Sequence, residues 1–202
     1  MPDIHVPKLE EHGRGHSTLK VLLEVLLISA GVFLGLAGEQ YRETARHREM
    51  AKEALQRFRT EIIANRQAVA AVKDYHVQLR TQLHAAFEAD AKHEQFRDVN
   101  MKGIQPAFLD RTAWNLALAQ QSLAYIDTDL AYEISQIYNT QDRLTTLSRE
   151  LTQAMYVNPP NQNLRAFLAA VMVYYDDAVL DEPQLLEKYD VVLPKLDRMI
   201  GK

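Results

Sequence analysis

The stretch LKVLLEVLLISAGVFLGLAG, residues 19–38, decides what kind of protein this chain forms. Lys20 and Glu24 are its only charged residues. As a helix it extends over about 30 Å, which is the thickness of the hydrocarbon core of a bilayer. The stretch therefore predicts one transmembrane helix. Tyr41 follows where an interfacial aromatic side chain would anchor the end of that helix.

Glu24 is the unusual residue of this span, because a carboxylate inside a bilayer is costly. It follows Lys20 by four residues, so the two side chains can pair near the headgroups. At about 100° per residue, both charges share one helix face with three glycines. That face consists of Lys20, Glu24, Ile28, Gly31, Gly35 and Gly38. Small residues four apart let membrane helices approach closely, so we expect a helix-pairing face and a homo-oligomer.

Other interpretations of the segment stay open. Glycine is common in membrane helices, and Glu24 could simply pair with Lys20 in a lone anchor. A proton-relay role for Glu24 would need a second relay group, which a single span does not offer. Residues 35–37, Gly-Leu-Ala, also resemble a signal-peptide cleavage site. We favour an uncleaved anchor, because the region before the apolar core is long for a signal peptide and helical periodicity continues past the site.

The composition of the rest of the chain excludes several function classes. Five of the seven glycines precede residue 39 and another is penultimate, so only Gly103 serves the body of the chain. Phosphate-binding loops and β-rich folds need glycines at turns, so we expect an all-α body without a nucleotide site. The chain has no cysteine, which removes disulfides and thiolate metal sites. Its net charge of −4 gives no reason to expect a nucleic acid partner.

A long polar helix is predicted from residue 39 to about residue 97, because its apolar residues recur in steps of four and three. This spacing is typical of the seam of a coiled coil or helical bundle. The seam consists of Ala51, Leu55, Phe58, Ile62, Asn65, Val69, Val72, His76, Leu79, Leu83 and Ala86. We expect its two most polar members, Asn65 and His76, to be hydrogen-bonded core residues that set the register.

The remaining sequence predicts further helices separated by glycine and proline. Gly103 and Pro106 end the first helix, and the next is expected over 107–122. Asp127 or Thr128 caps a helix that ends near residue 156. Two last helices are expected over 161–180 and 182–200, the second with Pro183 in its first turn. The predicted domains are a polar tail (1–18), a transmembrane helix (19–38), a helical stalk (39–50) and an antiparallel helical bundle (51–202).

No residue pattern indicates catalysis, a cofactor or a metal site. Di-iron bundles need repeated Glu-x-x-His pairs, whereas this chain has a single Asp90-x-x-His93. His84 and Glu88 are spaced to share a metal, but we expect no such site. We interpret the carboxylates of residues 176, 177, 181 and 182 as capping groups at a helix junction. We therefore expect a protein that is not an enzyme.

Three stretches carry a resemblance to a known group of proteins. They are LEVLLISAGVFLGLAGEQYRE (23–43), HREMAKEALQRFRTEIIANR (47–66) and TAWNLALAQQSLAYIDTDLAYEISQIYNTQ (112–141). Over residues 19–150 the chain resembles a widespread group of small bacterial membrane proteins without an established activity. Many of these proteins have Asn-Trp-Asn-Glu after the span, where this chain has Glu-Gln-Tyr-Arg-Glu at 39–43. The resemblance implies a membrane-anchored helical fold and carries over no functional residue.

Two functions are consistent with these features. The first is a membrane-anchored helical scaffold or interaction protein, and the alternative is a membrane-tethered sensor or small-ligand-binding module. The expected partners are the lipid bilayer, a second copy of the chain and an unidentified protein. We expect a single-pass protein of the bacterial inner membrane. Basic residues are balanced on the two sides of the span, so they leave the side of the helical domain undecided, with the periplasm slightly preferred.

Overall fold

The described part of the chain contains four α-helices and one 3₁₀ helix. The computed structural model describes residues 14–90 and 99–201, with side chains for 19–89 and 99–201. The helices are α1 (Arg14–Asp90), α2 (Thr112–Ala119), a 3₁₀ helix (Ser122–Tyr125), α3 (Thr128–Val157) and α4 (Leu164–Ile200). No strand occurs among these residues. The predicted all-α class is confirmed.

The chain divides into two units, Met1–His47 and Arg48–Lys202, and the division falls within α1. The first unit contains the apolar stretch. As predicted, α1 continues from it into the second unit, Arg48–Lys202, which we call the helical domain. Residues 1–13 of the predicted polar tail lie outside the described residues. So do His93 and the helix end expected near residue 97.

The core of the second unit forms along the predicted seam of α1. Phe58, Ile62, Val69 and Leu83 have no exposed surface, while Val72 and Ala86 are half-buried. The period of four and three therefore predicts the buried face of this helix correctly. Burial of such aliphatic and aromatic side chains stabilises a bundle by about 1.5–3 kcal/mol each.

Helix α4 runs antiparallel to both α1 and α3. Arg59 of α1 bonds Asp197 near the end of α4 at 2.5 Å, whereas Arg80 bonds Asp176 nearer its start at 2.6 Å. Between α3 and α4, Glu133 near the start of α3 bonds Lys195 near the end of α4, whereas Arg143 further along α3 bonds Asp181 at 2.5 Å. These contacts confirm the predicted antiparallel bundle in the second unit.

The start of α3 agrees with the sequence pattern. The side chain of Asp127 accepts a hydrogen bond from the Leu130 N–H at 3.0 Å, so Asp127 is the N-cap. This bond satisfies one of the backbone donors that every helix leaves free in its first turn. Leu130, Ile134 and Ile137 are buried on the apolar face that was predicted for this helix.

Helix α4 is a single helix, so the prediction of two helices with a junction near residue 181 is wrong. Pro183 and Pro194 lie inside it. A proline removes one backbone hydrogen bond of a helix, but both prolines are exposed, so water can bond the carbonyl groups they leave free. Tyr175 and Leu185, on either side of the expected junction, are fully buried. Packing of one continuous face therefore outweighs the local cost of proline.

Helix α2 is shorter than the predicted helix over 107–122. The Asn65 amide donates to the Asp110 carbonyl at 2.7 Å, and the Asp110 N–H donates to the Asn65 amide oxygen at 2.9 Å. The Asp110 carbonyl is thereby withdrawn from helical bonding. At the other end, Gln121 has a left-handed backbone with a φ of 56°, which stops the helix.

Candidate functional site

The apolar stretch of α1 is the most prominent surface of the first unit. Its side chains are exposed along the whole stretch, including Phe33 at 71% and Leu34 at 70%. Within the described residues it is the one helix long and apolar enough to cross a membrane, with a mean hydropathy of 2.3 in its most apolar window. Exposed apolar surface of this extent marks a site of contact with lipid or protein.

The predicted pairing face has room for a close neighbour. A Cβ atom added at Gly31, Gly35 or Gly38 would meet nothing within 4 Å. Ile28 on the same face is 67% exposed. The face therefore offers both open backbone and a carboxylate to an approaching helix.

Tyr41, the predicted interfacial anchor, is 78% exposed. It lies three residues after Gly38, at the polar end of the apolar stretch. Its ring combines an apolar body with a hydroxyl group, which suits the boundary between lipid and water. An anchoring role for Tyr41 stays a prediction.

A second candidate site lies in the helical domain, beneath residues 99–111, which we call the strap. The strap contains neither helix nor strand, and side chains of the helices bond its backbone. The Tyr75 hydroxyl accepts from the Lys102 N–H at 3.0 Å and donates to the Gly103 carbonyl. Tyr75 thus holds two consecutive strap residues with one side chain.

Further along the strap, Tyr175 of α4 donates to the Ile104 carbonyl at 2.8 Å. Asn65 then holds both backbone groups of Asp110, as described above. Asn65 and Tyr175 are almost completely buried. Because buried polar groups need partners, the strap backbone satisfies side chains that would otherwise be unpaired in the interior.

The centre of this site is a buried pair. His76 Nδ1 lies 2.6 Å from Glu182 Oε1, and His76 Nε2 lies 3.0 Å from the Gln105 carbonyl oxygen. The side chains of His76 and Glu182 are 0% and 2% exposed. Gln105 has a left-handed backbone with a φ of 48°, which is strained for a residue with a side chain. His76 therefore links α1, the strap and α4 at one point, in agreement with the expected hydrogen-bonded core residue.

Aromatic rings enclose the pair. The rings of Tyr174 and Tyr175 lie 6.1 Å and 5.0 Å from the His76 ring. Burial raises the pKa of both tyrosine hydroxyl groups, and the nearby Glu182 carboxylate adds to the effect. Glu182 Oε2 is buried and has no hydrogen-bond partner among the described residues. The pair thus lies in a largely apolar surrounding.

The carboxylates near residue 181 do not cap a helix, so that interpretation is wrong. They lie in the middle of α4, and three of them bond groups on other helices: Asp176 to His84 at 2.8 Å, Asp181 to Arg143 at 2.5 Å and Glu182 to His76. Partial burial would by itself raise the pKa of Asp176. Hydrogen bonds and charge from His84 and Arg80 outweigh it and hold the pKa of Asp176 below its ordinary value of 3.8.

A third polar cluster lies between α1, α2 and α3. Glu61 accepts from the Tyr138 hydroxyl at 2.6 Å and from the Ala113 N–H at 2.8 Å. Burial, followed by the hydrogen bond to Glu61, strongly raises the pKa of Tyr138. The Trp114 ring stacks on Tyr138 with centroids 5.3 Å apart. Sequence reasoning missed Glu61 because it lies beside the apolar seam and not on it.

Glu61 also lines an open groove of about 710 Å³ between α1 and α2. Ala64, Ala113 and Leu116 form its apolar lining, with Glu61 and Asp110 among the charged groups. The charged lining consists of Glu53, Arg57, Glu61 and Asp110. Charged side chains beside an apolar floor suit a small ligand that carries both polar and apolar groups.

No group of three metal-ligating side chains occurs in the parts of the chain that the structure describes. His84, considered above as half of a metal pair with Glu88, bonds Asp176 on α4. Comparison of the chain with protein family models, curated proteins and solved structures found no match. The resemblance to the group of small bacterial membrane proteins stays a prediction.

Proposed function

We propose that this chain is a single-pass helical scaffold or interaction protein of the bacterial inner membrane. It self-associates through the face of Lys20, Glu24, Ile28, Gly31, Gly35 and Gly38. The observation that carries the proposal is the exposed apolar stretch of α1, whose three glycines leave the backbone open on the face that also holds Glu24.

Lipid covers most of this stretch, and a second copy covers the glycine face. In hydrocarbon, close backbone approach at glycine increases dispersion contacts, and a polar side chain on the same face gains a partner across the contact. Glu24 then pairs within the dimer, which lowers the cost of a carboxylate near the bilayer. The helical domain, which we place in the periplasm, presents its surface to an unidentified protein partner.

The test is self-association of the full chain in a bacterial membrane two-hybrid assay. The double variant Gly31→Leu and Gly35→Leu fills the face and should lower the reporter signal to the level of a monomeric control span. Ala30→Leu with Ala37→Leu is the matched variant, because it enlarges small residues on another side of the same helix. Unchanged association of the glycine variant would refute the pairing face.

Topology is tested with reporter fusions of alkaline phosphatase and a fluorescent protein after residue 60 and at the C-terminus. Phosphatase activity with dark fluorescent fusions supports a periplasmic domain. The reverse result would place the domain, and the partner to be sought, in the cytoplasm.

The groove between α1 and α2 favours one second candidate function, a membrane-tethered sensor or small-ligand-binding module. Its apolar lining beside Glu61 and Asp110 is the arrangement that small-ligand sites commonly have. A thermal-shift screen of the detergent-solubilised chain against metabolites tests it. A true ligand stabilises the chain but not Ala64→Trp, which fills the groove, and a screen without any stabilising compound would contradict this candidate.

A further inference from the structure

The strap lies on the helical domain in the manner of a bound peptide. Val99, Met101, Ile104, Ala107 and Leu109 are half-buried against the core, and no strap residue is fully buried. Exposed residues stand between them, including Phe108 at 83% exposure. Alternation of inward aliphatic and outward residues is how non-helical peptides fill successive side-chain pockets.

Over residues 99–110 the helices bond the backbone of the strap, and the one polar strap side chain that bonds a helix is that of Arg111, which pairs with Asp142 at the end of the strap. Besides the bonds described above, the Asn100 N–H donates to the Gln82 side chain at 3.0 Å. The groups that bond strap backbone are Asn65, Tyr75, His76, Gln82 and Tyr175. Main-chain bonding supplies affinity that depends little on sequence, so another peptide of similar backbone conformation satisfies the same groups.

We infer that the strap is an intramolecular ligand that occupies a binding groove for a peptide of another protein. That partner segment is non-helical, with aliphatic side chains alternating with polar ones as in residues 99–109. The groove is lined by the backbone-binding groups of α1 and α4, with the His76–Glu182 pair at its centre. The inference does not depend on self-association of the membrane helix.

We expect the strap to detach more easily than the helices beneath it unfold. His76, Asn65 and Tyr175 are locked in the core, whereas every strap residue keeps some exposed surface. Gln105 stores backbone strain at its left-handed φ, and opening of the strap releases it. Opening exposes five side chains that are only half-buried and lets water bond the groups that the strap backbone satisfies, so it can occur without unfolding of α1 or α4.

The first test uses the full chain in nanodiscs and a fluorescent peptide with the sequence of residues 99–110. Gly103 has a φ of 95° and a Cβ added there meets nothing within 4 Å, so Gly103→Val strains the strap without changing a groove side chain. It should bind the peptide at least about tenfold more tightly than the unchanged chain, because it raises the population with an open groove. Lys102→Val, on the neighbouring exposed residue, and a scrambled peptide are the controls. A folded Gly103→Val variant that does not bind the peptide would overturn the inference.

The second test needs no variant and therefore stands even if Gly103→Val fails to fold. Hydrogen exchange of the unchanged chain should show the amides of Asn100, Lys102 and Asp110 opening faster than the buried amides of α1 and α4, although all three are hydrogen-bonded. Exchange of these strap amides only at the rate of global unfolding would refute an opening strap.

Discussion

His76 Nδ1 and Glu182 Oε1 lie 2.6 Å apart, within hydrogen-bond distance, in the interior of the helical domain. A carbonyl oxygen only accepts hydrogen bonds, so the bond to Gln105 requires a hydrogen on Nε2 of His76. One further hydrogen, on either Nδ1 or Oε1, completes the contact with Glu182. With that proton the pair has no net charge, which suits its almost complete burial.

Removal of one member of this pair should be far more costly than a change that keeps the bond. His76→Leu leaves the Glu182 carboxyl group buried without a partner, and we expect a loss of about 3–5 kcal/mol in the free energy of unfolding. Glu182→Gln still donates to Nδ1 from its amide, so its cost should stay near 1 kcal/mol, roughly that of one hydrogen bond. Urea unfolding followed by circular dichroism measures both. Similar costs for the two variants would show that the pair does not act as described.

Asp176 makes the stability of the helical domain depend on pH in the acidic range. Its pKa is lowered in the folded chain, so the unfolded chain binds a proton more readily, and stability falls as the pH drops below about 3.8. At neutral pH, Asp176→Asn should lower the free energy of unfolding by about 0.5–1 kcal/mol, since its contacts to Arg80 and His84 are partly exposed. The difference between Asp176→Asn and the unchanged chain should shrink toward pH 2. A constant difference across that range would contradict this assignment.

The buried tyrosines make the stability of the helical domain depend on pH in the alkaline range. The pKa values of Tyr138, Tyr175 and Tyr189 are raised, first by burial, so their contribution to stability is fully present below about pH 10. Above that pH the unfolded chain loses tyrosine protons that the folded chain retains, and unfolding becomes easier. Absorbance at 295 nm, a general tyrosinate signal, should include a stage at alkaline pH that coincides with unfolding of the helical domain. A single stage without unfolding would show that the three rings are accessible.

Pro183 should be a site where a substitution stabilises the chain. Pro183→Ala restores a backbone N–H inside α4, which is worth about 3 kcal/mol in a helix interior, against about 1 kcal/mol lost because the unfolded chain becomes less rigid. We therefore expect a gain of roughly 2 kcal/mol in the free energy of unfolding, measured by urea unfolding. Pro194→Ala provides the comparison at a second exposed position. A lower stability of Pro183→Ala would mean that the proline itself is required for the packing of α4.

The elements that follow one periodic pattern are the ones that sequence reasoning predicts well. The steps of four and three in α1 identify its buried face, and Asp127 marks the start of α3, because both signals depend on local geometry. The single helix α4 could not be predicted in this way. Its continuity depends on burial of Tyr175 and Leu185 against other helices, and local rules assign Pro183 a helix start.

The strap shows why the polar site is harder to predict than the fold. Asn65 and His76 are recognisable as polar members of an apolar seam, so their burial and hydrogen bonding are expected. Their partners are backbone groups of a segment about thirty to forty-five residues away, which no spacing in the sequence connects to them. Glu182 belongs to a run of carboxylates in the sequence. Only the tertiary packing shows that this member of the run is the one buried against His76.

The position of Trp114 in the helical domain, where it stacks on Tyr138, has a consequence for fluorescence measurements. Trp114 is the only tryptophan of the chain, and Phe33 is the only aromatic residue of the stretch 19–38. Intrinsic emission excited at the red edge of the indole band therefore comes from the helical domain alone. Unfolding of the helical domain can be followed by fluorescence while the apolar segment stays inserted in a vesicle. The stability of the helical domain is then measurable without extracting the apolar segment from the membrane.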